Sequence, residues 1–179
     1  MVLYLIRHGE TDWNVQNKIQ GDTDIPLNQT GIKQANTLKE VLKNVSFDVC
    51  YTSPLERTMT TAKIILEGTC PIIPVPELVE RDFGQIEGSA ITEVQSKKYW
   101  DYELNSQDEG VEPVRHLLDR TRTFLLELIQ KHPNQTVLLV THGSTLRALH
   151  FNLMGYHTKE DFLKFDVSVK SFVAKNEKS

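Results

Sequence analysis

The chain has 179 residues, 39% hydrophobic and 25% charged, with 24 acidic side chains against 20 lysines and arginines and a formal net charge of -4. That composition suits a soluble globular chain able to bury a core without metal or disulfide staples. It excludes a global basic field that would gather nucleic acid or an anionic membrane surface, so an anionic ligand has to be met by a local cluster of positive groups.

The first element is Val2 to Ile6, a continuous apolar run of the length of a buried parallel strand. It stops at Arg7 and is far too short for a signal peptide or a membrane span, which makes the cytoplasm the expected location. Asn28 is a candidate N-cap for a helix whose apolar positions Ile32, Ala35, Leu38 and Leu42 follow helical spacing. Phe47 to Tyr51 reads as a second strand. Ser53-Pro54-Leu55-Glu56 reads as a capping box, with a proline at the first helical position, opening a helix to about Glu67. Pro71 to Val75 is a short strand whose flanking prolines place it at a sheet margin. Cys50 and Cys70 show no C-x-x-C spacing and read as reduced, buried thiols.

Glu77 to Gly110 is the least regular stretch, with a short helix near Ala90 to Tyr99. A long helix follows from Pro113 to Lys131, with Val114, Leu117, Leu118, Phe124, Leu125 and Leu128 on its apolar side, ended by His132-Pro133-Asn134. Thr136 to Thr141 is the strongest buried strand, followed by a helix from Gly143-Ser144 to about Met154. Ser171 to Ala174 is a candidate final strand. No repeat, low-complexity tract or linker divides the chain, so 1–179 reads as a single domain. Strands alternating with helices imply a layered α/β fold with a mostly parallel sheet.

Open α/β sheets place their sites beyond the carboxyl ends of strands, and three turns there carry chemistry. Strand one runs into Arg7-His8-Gly9-Glu10, strand two into Thr52-Ser53 and the helix with Arg57, and the Thr136–Thr141 strand into His142-Gly143. If these strands are neighbours, the two histidines and two arginines form the missing local positive cluster. Arg7 and Arg57 are suited to grip phosphate oxygens with planar, permanently charged forks. Arg57 lies in the first turn of its helix, where free N–H groups also favour an anion. A neutral imidazole on His8 can attack phosphorus, Gly9 permits close backbone approach, and His142 can donate to the phosphoryl oxygens. Each residue alone has a plainer explanation. His116, His132, His150 and His157 read as packed or surface histidines.

Taken in order, these residues are recognisable. Leu5 to Asn14, which includes Arg7-His8-Gly9-Glu10-Thr11, resembles the signature of the histidine phosphatase superfamily, which includes cofactor-dependent phosphoglycerate mutases. The resemblance continues through Gln20-Gly21, Pro26-Leu27-Asn28 with Gly31, Tyr51 to Leu55 with Arg57, Glu80 to Gly84 with Glu87-Gly88, and Thr141-His142-Gly143. It spans Val2 to about Leu149. It implies a three-layer α/β/α sandwich of phosphoglycerate mutase type and a histidine acid-type phosphatase, that is, a phosphoric monoester hydrolase. By that resemblance His8 is the phospho-accepting nucleophile, and Arg7, Arg57 and His142 complete the phosphate pocket. Glu80 is the general acid and then base, a role composition and spacing do not assign. Such work near neutral pH suggests burial beside Phe83 or Leu78. The competing reading of Glu80 is a surface ion pair with Arg81. Asn14, Gln20, Gly21 and Gly143 complete the implied substrate-binding set.

The implied partner is a small phosphorylated metabolite, without cofactor or metal, and without nucleic acid or membrane; oligomeric state is not legible. Phosphoglycerates, sugar phosphates, nucleotide-type monophosphates and ribazole phosphate are substrates that family analogy offers. Resemblance also implies that mutases carry extra covering structure between the acid and the second histidine, which the short Glu80–His142 interval lacks. Hydrolysis is therefore the expected reaction, with a mutase as the alternative and a non-catalytic phosphate-binding module as a second. His8, His142 and Glu80 also have the composition of a metal triad, but Arg7 and Arg57 would place two positive charges where a cation must sit. No G-x-S-x-G elbow supports a serine hydrolase. Tyr99, Trp100 and Tyr102 are candidates for the pocket mouth, against the plainer reading of aromatic packing on a short helix.

Overall fold

Alternate side chains of the central strands face opposite helical layers, and this period of two sets the architecture. In a computed structural model, which describes residues 1–90, 92–155 and 171–175, the sheet order is β3-β2-β4-β1-β5. The strands are β1 (Val2–Arg7), β2 (Val49–Thr52), β3 (Ile72–Pro74), β4 (Thr136–Thr141) and β5 (Ser171–Lys175). The first four in the sheet order run parallel, and β5 pairs antiparallel with β1. Leu3, Leu5, Val137 and Leu139 pack on one face against α5 (Val114–Lys131) and α6 (Gly143–Met154). Tyr4, Ile6, Leu138 and Val140 pack on the other, against α2 (Gln29–Leu42) and α3 (Glu56–Leu66). The result is the three-layer α/β/α sandwich with a mostly parallel sheet that the sequence implied. Two short helices, α1 (Asp12–Val15) and α4 (Glu93–Tyr99), lie in the connections that surround the pocket.

Most element boundaries follow the sequence reading; two depart from it for identifiable reasons. The second strand starts at Val49 rather than Phe47, because Asp48 turns its carboxylate back to accept from the Thr136 amide at 2.7 Å. The capping box at Ser53–Glu56 does not form. Leu55 is the N-cap of α3 and makes no side-chain cap, while Ser53 Oγ accepts from the Leu55 amide. The first-turn amide of Glu56 is capped from elsewhere, by Asp24 Oδ1 at 2.9 Å. A carboxylate from the first loop thereby anchors that loop to the helix that carries Arg57. Asn28 does cap α2, accepting from the Gly31 amide at 2.9 Å. β3 lies at the sheet margin as its prolines implied. Cys50 is buried, Cys70 half-buried, and both are free. No helix among the described residues is long and apolar enough to cross a membrane.

Candidate active site

The register of the central strands brings the two His-Gly turns together. Arg7 pairs with Thr141 across β1 and β4, and the His8 amide then donates to the Thr141 carbonyl at 3.0 Å. The rings of His8 and His142 lie with centroids 5.1 Å apart. Gly9 is required here, though by a different neighbour than the sequence suggested. A Cβ at Gly9 would fall 2.4 Å from the Gly31 carbonyl oxygen, so the missing side chain admits the backbone of α2.

His8 Nδ1 lies 2.7 Å from the Gly9 carbonyl oxygen, which can only accept, so Nδ1 carries the proton and Nε2 keeps its lone pair. Burial, then the charges of Arg7 and Arg57, pushes the His8 pKa down to about 3 against the opposing pull of the Gly9 carbonyl. The ring is therefore neutral throughout the physiological range. His142 is completely buried, and burial together with His8, Arg57 and Arg7 holds it well below the usual histidine value. Its Nδ1 accepts from Arg57 Nε at 3.1 Å, which leaves the proton on Nε2. That Nε2 has no partner among the described residues, so it is a buried donor awaiting an acceptor.

Arg57 is fixed from behind. Its Nη1 donates to the Thr23 carbonyl at 2.8 Å and its Nη2 to the Gly21 carbonyl at 2.7 Å, with Asp24 Oδ1 4.0 Å from Nη1. Each terminal nitrogen retains a second N–H. The loop supplying those carbonyls is held by Glu87, whose carboxylate accepts from the amides of Asp22, Thr23 and Phe83 and from the Thr23 hydroxyl. Gly21 has φ +55, and a Cβ there would collide with the Glu87 carboxylate. The Arg7 side chain has no hydrogen bond or ion pair with the described residues, so its guanidinium is available to a ligand.

Glu80 does not make the Arg81 ion pair that the sequence offered; its carboxylate is met by backbone amides instead. Its Oε1 accepts from the amides of Arg81, Ser144 and Thr145, while Oε2 accepts from the Ser144 amide. The carboxylate thus sits on the N-terminus of α6, where helix amides favour an anion. Arg81 instead turns inward, donating from Nε to the Glu112 carbonyl at 2.8 Å, with its charge against the rings of Phe83 and Trp100. Gly143 lies between Arg7 and Glu80: a Cβ built on it would be 3.6 Å from Arg7 Cζ and 3.7 Å from Glu80 Oε2.

These groups open onto a cavity of about 270 Å³ lined by Arg7, His8, Asn14, Gln20, Gly21, Arg57, Glu80 and Gly143, with His142 buried behind the lining. Trp100 joins the wall, whereas Tyr99 packs inward with Ile19, Phe83, Ile86 and Val111, and Tyr102 packs against the Trp100 cluster. Among the described residues, Asp22, Asp82 and Glu87 form the one acidic group close enough to share a cation, their oxygens within 4.8 Å. Glu87 is already committed to backbone amides, and His8, His142 and Glu80 form no such group.

A family model described as the histidine phosphatase superfamily (branch 1) matches residues 3–174. The chain belongs to this superfamily. A curated relative, the uncharacterized phosphatase PhoE of Bacillus subtilis, is 43% identical over 152 residues, covering 84% of this chain and 76% of that protein. A 2,3-bisphosphoglycerate-dependent phosphoglycerate mutase of Bartonella quintana is 36% identical over 172 residues, covering 88% of this chain and 84% of its own length. Among solved structures, a mutant phosphoserine phosphatase of Entamoeba histolytica in complex with phosphoserine superposes with a TM-score of 0.81 at 30% identity, covering 92% of this chain and 85% of that one.

Within this member of the superfamily, every catalytic or substrate-binding candidate named from the sequence lies in or directly behind one pocket. Several others had no local signal. Thr23 acts through its carbonyl and hydroxyl, and Asp24 through a helix cap contributed from a distant loop. Phe83, Ser144 and Arg147 also line the cavity. Arg147 was within reach of sequence reasoning, because it follows Gly143 by four residues on α6 and so shares its face. Of the histidines set aside, His116 is exposed against Glu112 and His132 is buried against Tyr51 and Gln135. His150 is half-buried, and His157 lies outside the described residues.

Proposed function

We propose that the protein hydrolyses phosphate monoesters of small metabolites through a phosphohistidine on His8. The observation that carries this reading is the state of His8: a neutral ring, its Nδ1 proton tied to the Gly9 carbonyl, in a cavity it shares with two guanidinium groups. An exposed surface histidine has no reason to acquire that arrangement. Arg7 and Arg57 bind the non-bridging oxygens of the ester, and His142 Nε2 donates to one of them as charge shifts in the transition state. His8 Nε2 forms a bond to phosphorus while the ester P–O bond breaks. Glu80 gives its proton to the departing alkoxide through Oε2, the oxygen with the fewer hydrogen bonds. In the second step Glu80 takes a proton from water, water oxygen attacks phosphorus, and the P–N bond returns its electron pair to His8.

The donors now around Glu80 suit the carboxylate that acts as base in that second step. A pocket of about 270 Å³ suits a metabolite rather than a polymer. Two guanidinium groups at its floor repel a divalent cation, so activity should survive a chelator. The similarity to a phosphoserine phosphatase structure supports a small phosphorylated, carboxylate-bearing substrate. The similarity to a mutase supports a second reading, transfer of the phosphoryl group back to the product rather than to water.

The deciding experiment is incubation with a ³²P-labelled monoester panel in the presence of chelator. Acid-labile, base-stable protein label is expected on the wild type and not on His8→Ala, with inorganic phosphate as the product. Conversion of 3- to 2-phosphoglycerate outpacing phosphate release would select the mutase instead. No turnover and no label across the panel would leave a phosphate-binding module.

A further inference from the structure

The segment that carries Glu80 has no regular secondary structure of its own around that residue, yet its carbonyl groups are held almost continuously from outside. Leu78 O accepts from the Thr141 hydroxyl at 2.8 Å and Val79 O from the Thr145 hydroxyl at 2.7 Å. The rest of the work falls on a single side chain of α5. Arg120 donates from Nη1 to Glu77 O at 2.6 Å and from Nη2 to Val79 O at 3.0 Å, and Nη2 also lies 3.5 Å from Glu80 O. The same guanidinium is gripped by Glu112: Nε to Oε1 at 2.7 Å and Nη2 to Oε2 at 3.0 Å. Both side chains are largely buried, at 17% and 9% exposure, so the pair is only weakly screened. Glu112 also holds the far side of the acid. Its amide donates to Asp82 O and its carbonyl accepts from Arg81 Nε, so the chain is tied on both flanks of Glu80.

We propose that Arg120, seated on Glu112, is a positioning residue for Glu80: it fixes the backbone from which the acid reaches the scissile oxygen. The proposal rests on the acid–base reading of Glu80 given above. A planar fork is required. It must meet both carboxylate oxygens along one edge and two separate backbone carbonyls along the other, which a single ammonium group cannot do. The Arg81, Ser144 and Thr145 amides fix the carboxylate end of Glu80. Arg120 fixes its Cα end, and proton transfer needs both, because it falls steeply with small displacements.

A merely structural role would slow all substrates alike, and a role in placing the acid would not. A phenolate such as p-nitrophenolate leaves without a proton, whereas an alkoxide such as that of serine needs one. kcat/KM reports the step in which that bond breaks, so it is measured for p-nitrophenyl phosphate and for phosphoserine or another turned-over alkyl phosphate. Wild type, Arg120→Gln, Arg120→Lys, Glu112→Gln and Glu80→Gln are compared, with folding checked by thermal unfolding. Arg120→Gln should lose on the order of ten- to a hundred-fold more on the alkyl ester than on the aryl ester. Glu112→Gln should follow it in the same direction, and lysine should not restore the ratio. Equal losses on both esters, or full recovery by Arg120→Lys, would overturn the proposal by reducing Arg120 to scaffold or to a distant charge. If Arg120→Gln does not fold, Arg120→Lys and Glu112→Gln carry the same comparison. Glu80→Gln separates the two layers of argument. If it shows the leaving-group signature and the Arg120 and Glu112 variants do not, only the positioning role falls. If Glu80→Gln lacks the signature, the acid role falls with it.

Discussion

Arg57 Nε donates to His142 Nδ1 across 3.1 Å, and this bond decides which nitrogen of a fully buried imidazole carries its proton. An arginine that lines the cavity thus also prepares the neutral donor behind it. His142→Ala removes a buried, preorganised donor and should lower kcat by roughly 10²- to 10³-fold, with a much smaller change in KM. Steady-state kinetics on any good substrate measures this, and an unchanged kcat would remove His142 from the reaction.

The depressed pKa of His8 makes stability depend on pH. In the unfolded chain this imidazole titrates near 6.5; in the folded protein it titrates at about 3. Between those values the unfolded state binds the extra proton, so stability rises with pH through that window and falls on acidification. From pH 6.5 to 5 the His8 contribution amounts to about 1.6 kcal/mol of lost stability. His142, shifted in the same direction, adds to it. Urea unfolding at the two pH values should show His8→Ala losing less stability than the wild type over that interval. Parallel losses would contradict a buried neutral imidazole at this position.

Two glycines of the site should respond oppositely to alanine. At Gly9 the new Cβ would press on the backbone of Gly31 at 2.4 Å, where no rotamer change relieves it. Gly9→Ala should destabilise the protein by about 1–3 kcal/mol or more in chemical unfolding. At Gly143 the nearest atoms lie at 3.6 and 3.7 Å, ordinary contact distances. Gly143→Ala should fold normally, with its cost appearing in kcat/KM because the methyl group enters between Arg7 and Glu80.

Glu87 lies away from the phosphate cradle yet supports it. Its carboxylate ties the amides of Asp22 and Thr23 to that of Phe83, and the Gly21 and Thr23 carbonyls in turn hold Arg57. Glu87→Ala should weaken competitive inhibition by inorganic phosphate by about ten-fold, the scale of one lost, partly buried hydrogen-bond set. Glu87→Gln, which keeps one acceptor oxygen, should fall between. An unchanged inhibition constant would show that the loop holds Arg57 without it.

The sheet and the two His-Gly turns were legible in the sequence because continuous apolar runs such as Val2–Ile6 and Thr136–Thr141 end abruptly on charged or polar residues. The acid–base role proposed for Glu80 was legible only through family resemblance. Its hydrogen-bond donors, the Ser144 and Thr145 amides, come from a helix that begins more than sixty positions later in the chain. The cap of α3 was misplaced for a related reason: Ser53 has the right identity and spacing, but Asp24, distant in sequence, satisfies the first-turn amide. Local patterns report on local partners. Backbone carbonyls such as those of Gly21, Thr23 and Val79 leave no trace in residue identity at all.

The pairing of β1 with β4 at the centre of the sheet also has a consequence for biosynthesis. The strand made first must wait for one of the last elements before its edge is covered, with well over a hundred residues emerging from the ribosome in between. Until then the nascent chain holds an unpaired apolar ribbon, and the turns that carry His8 and His142 have not been brought together. Activity should therefore arise in a single late step of synthesis rather than accumulate as the chain lengthens.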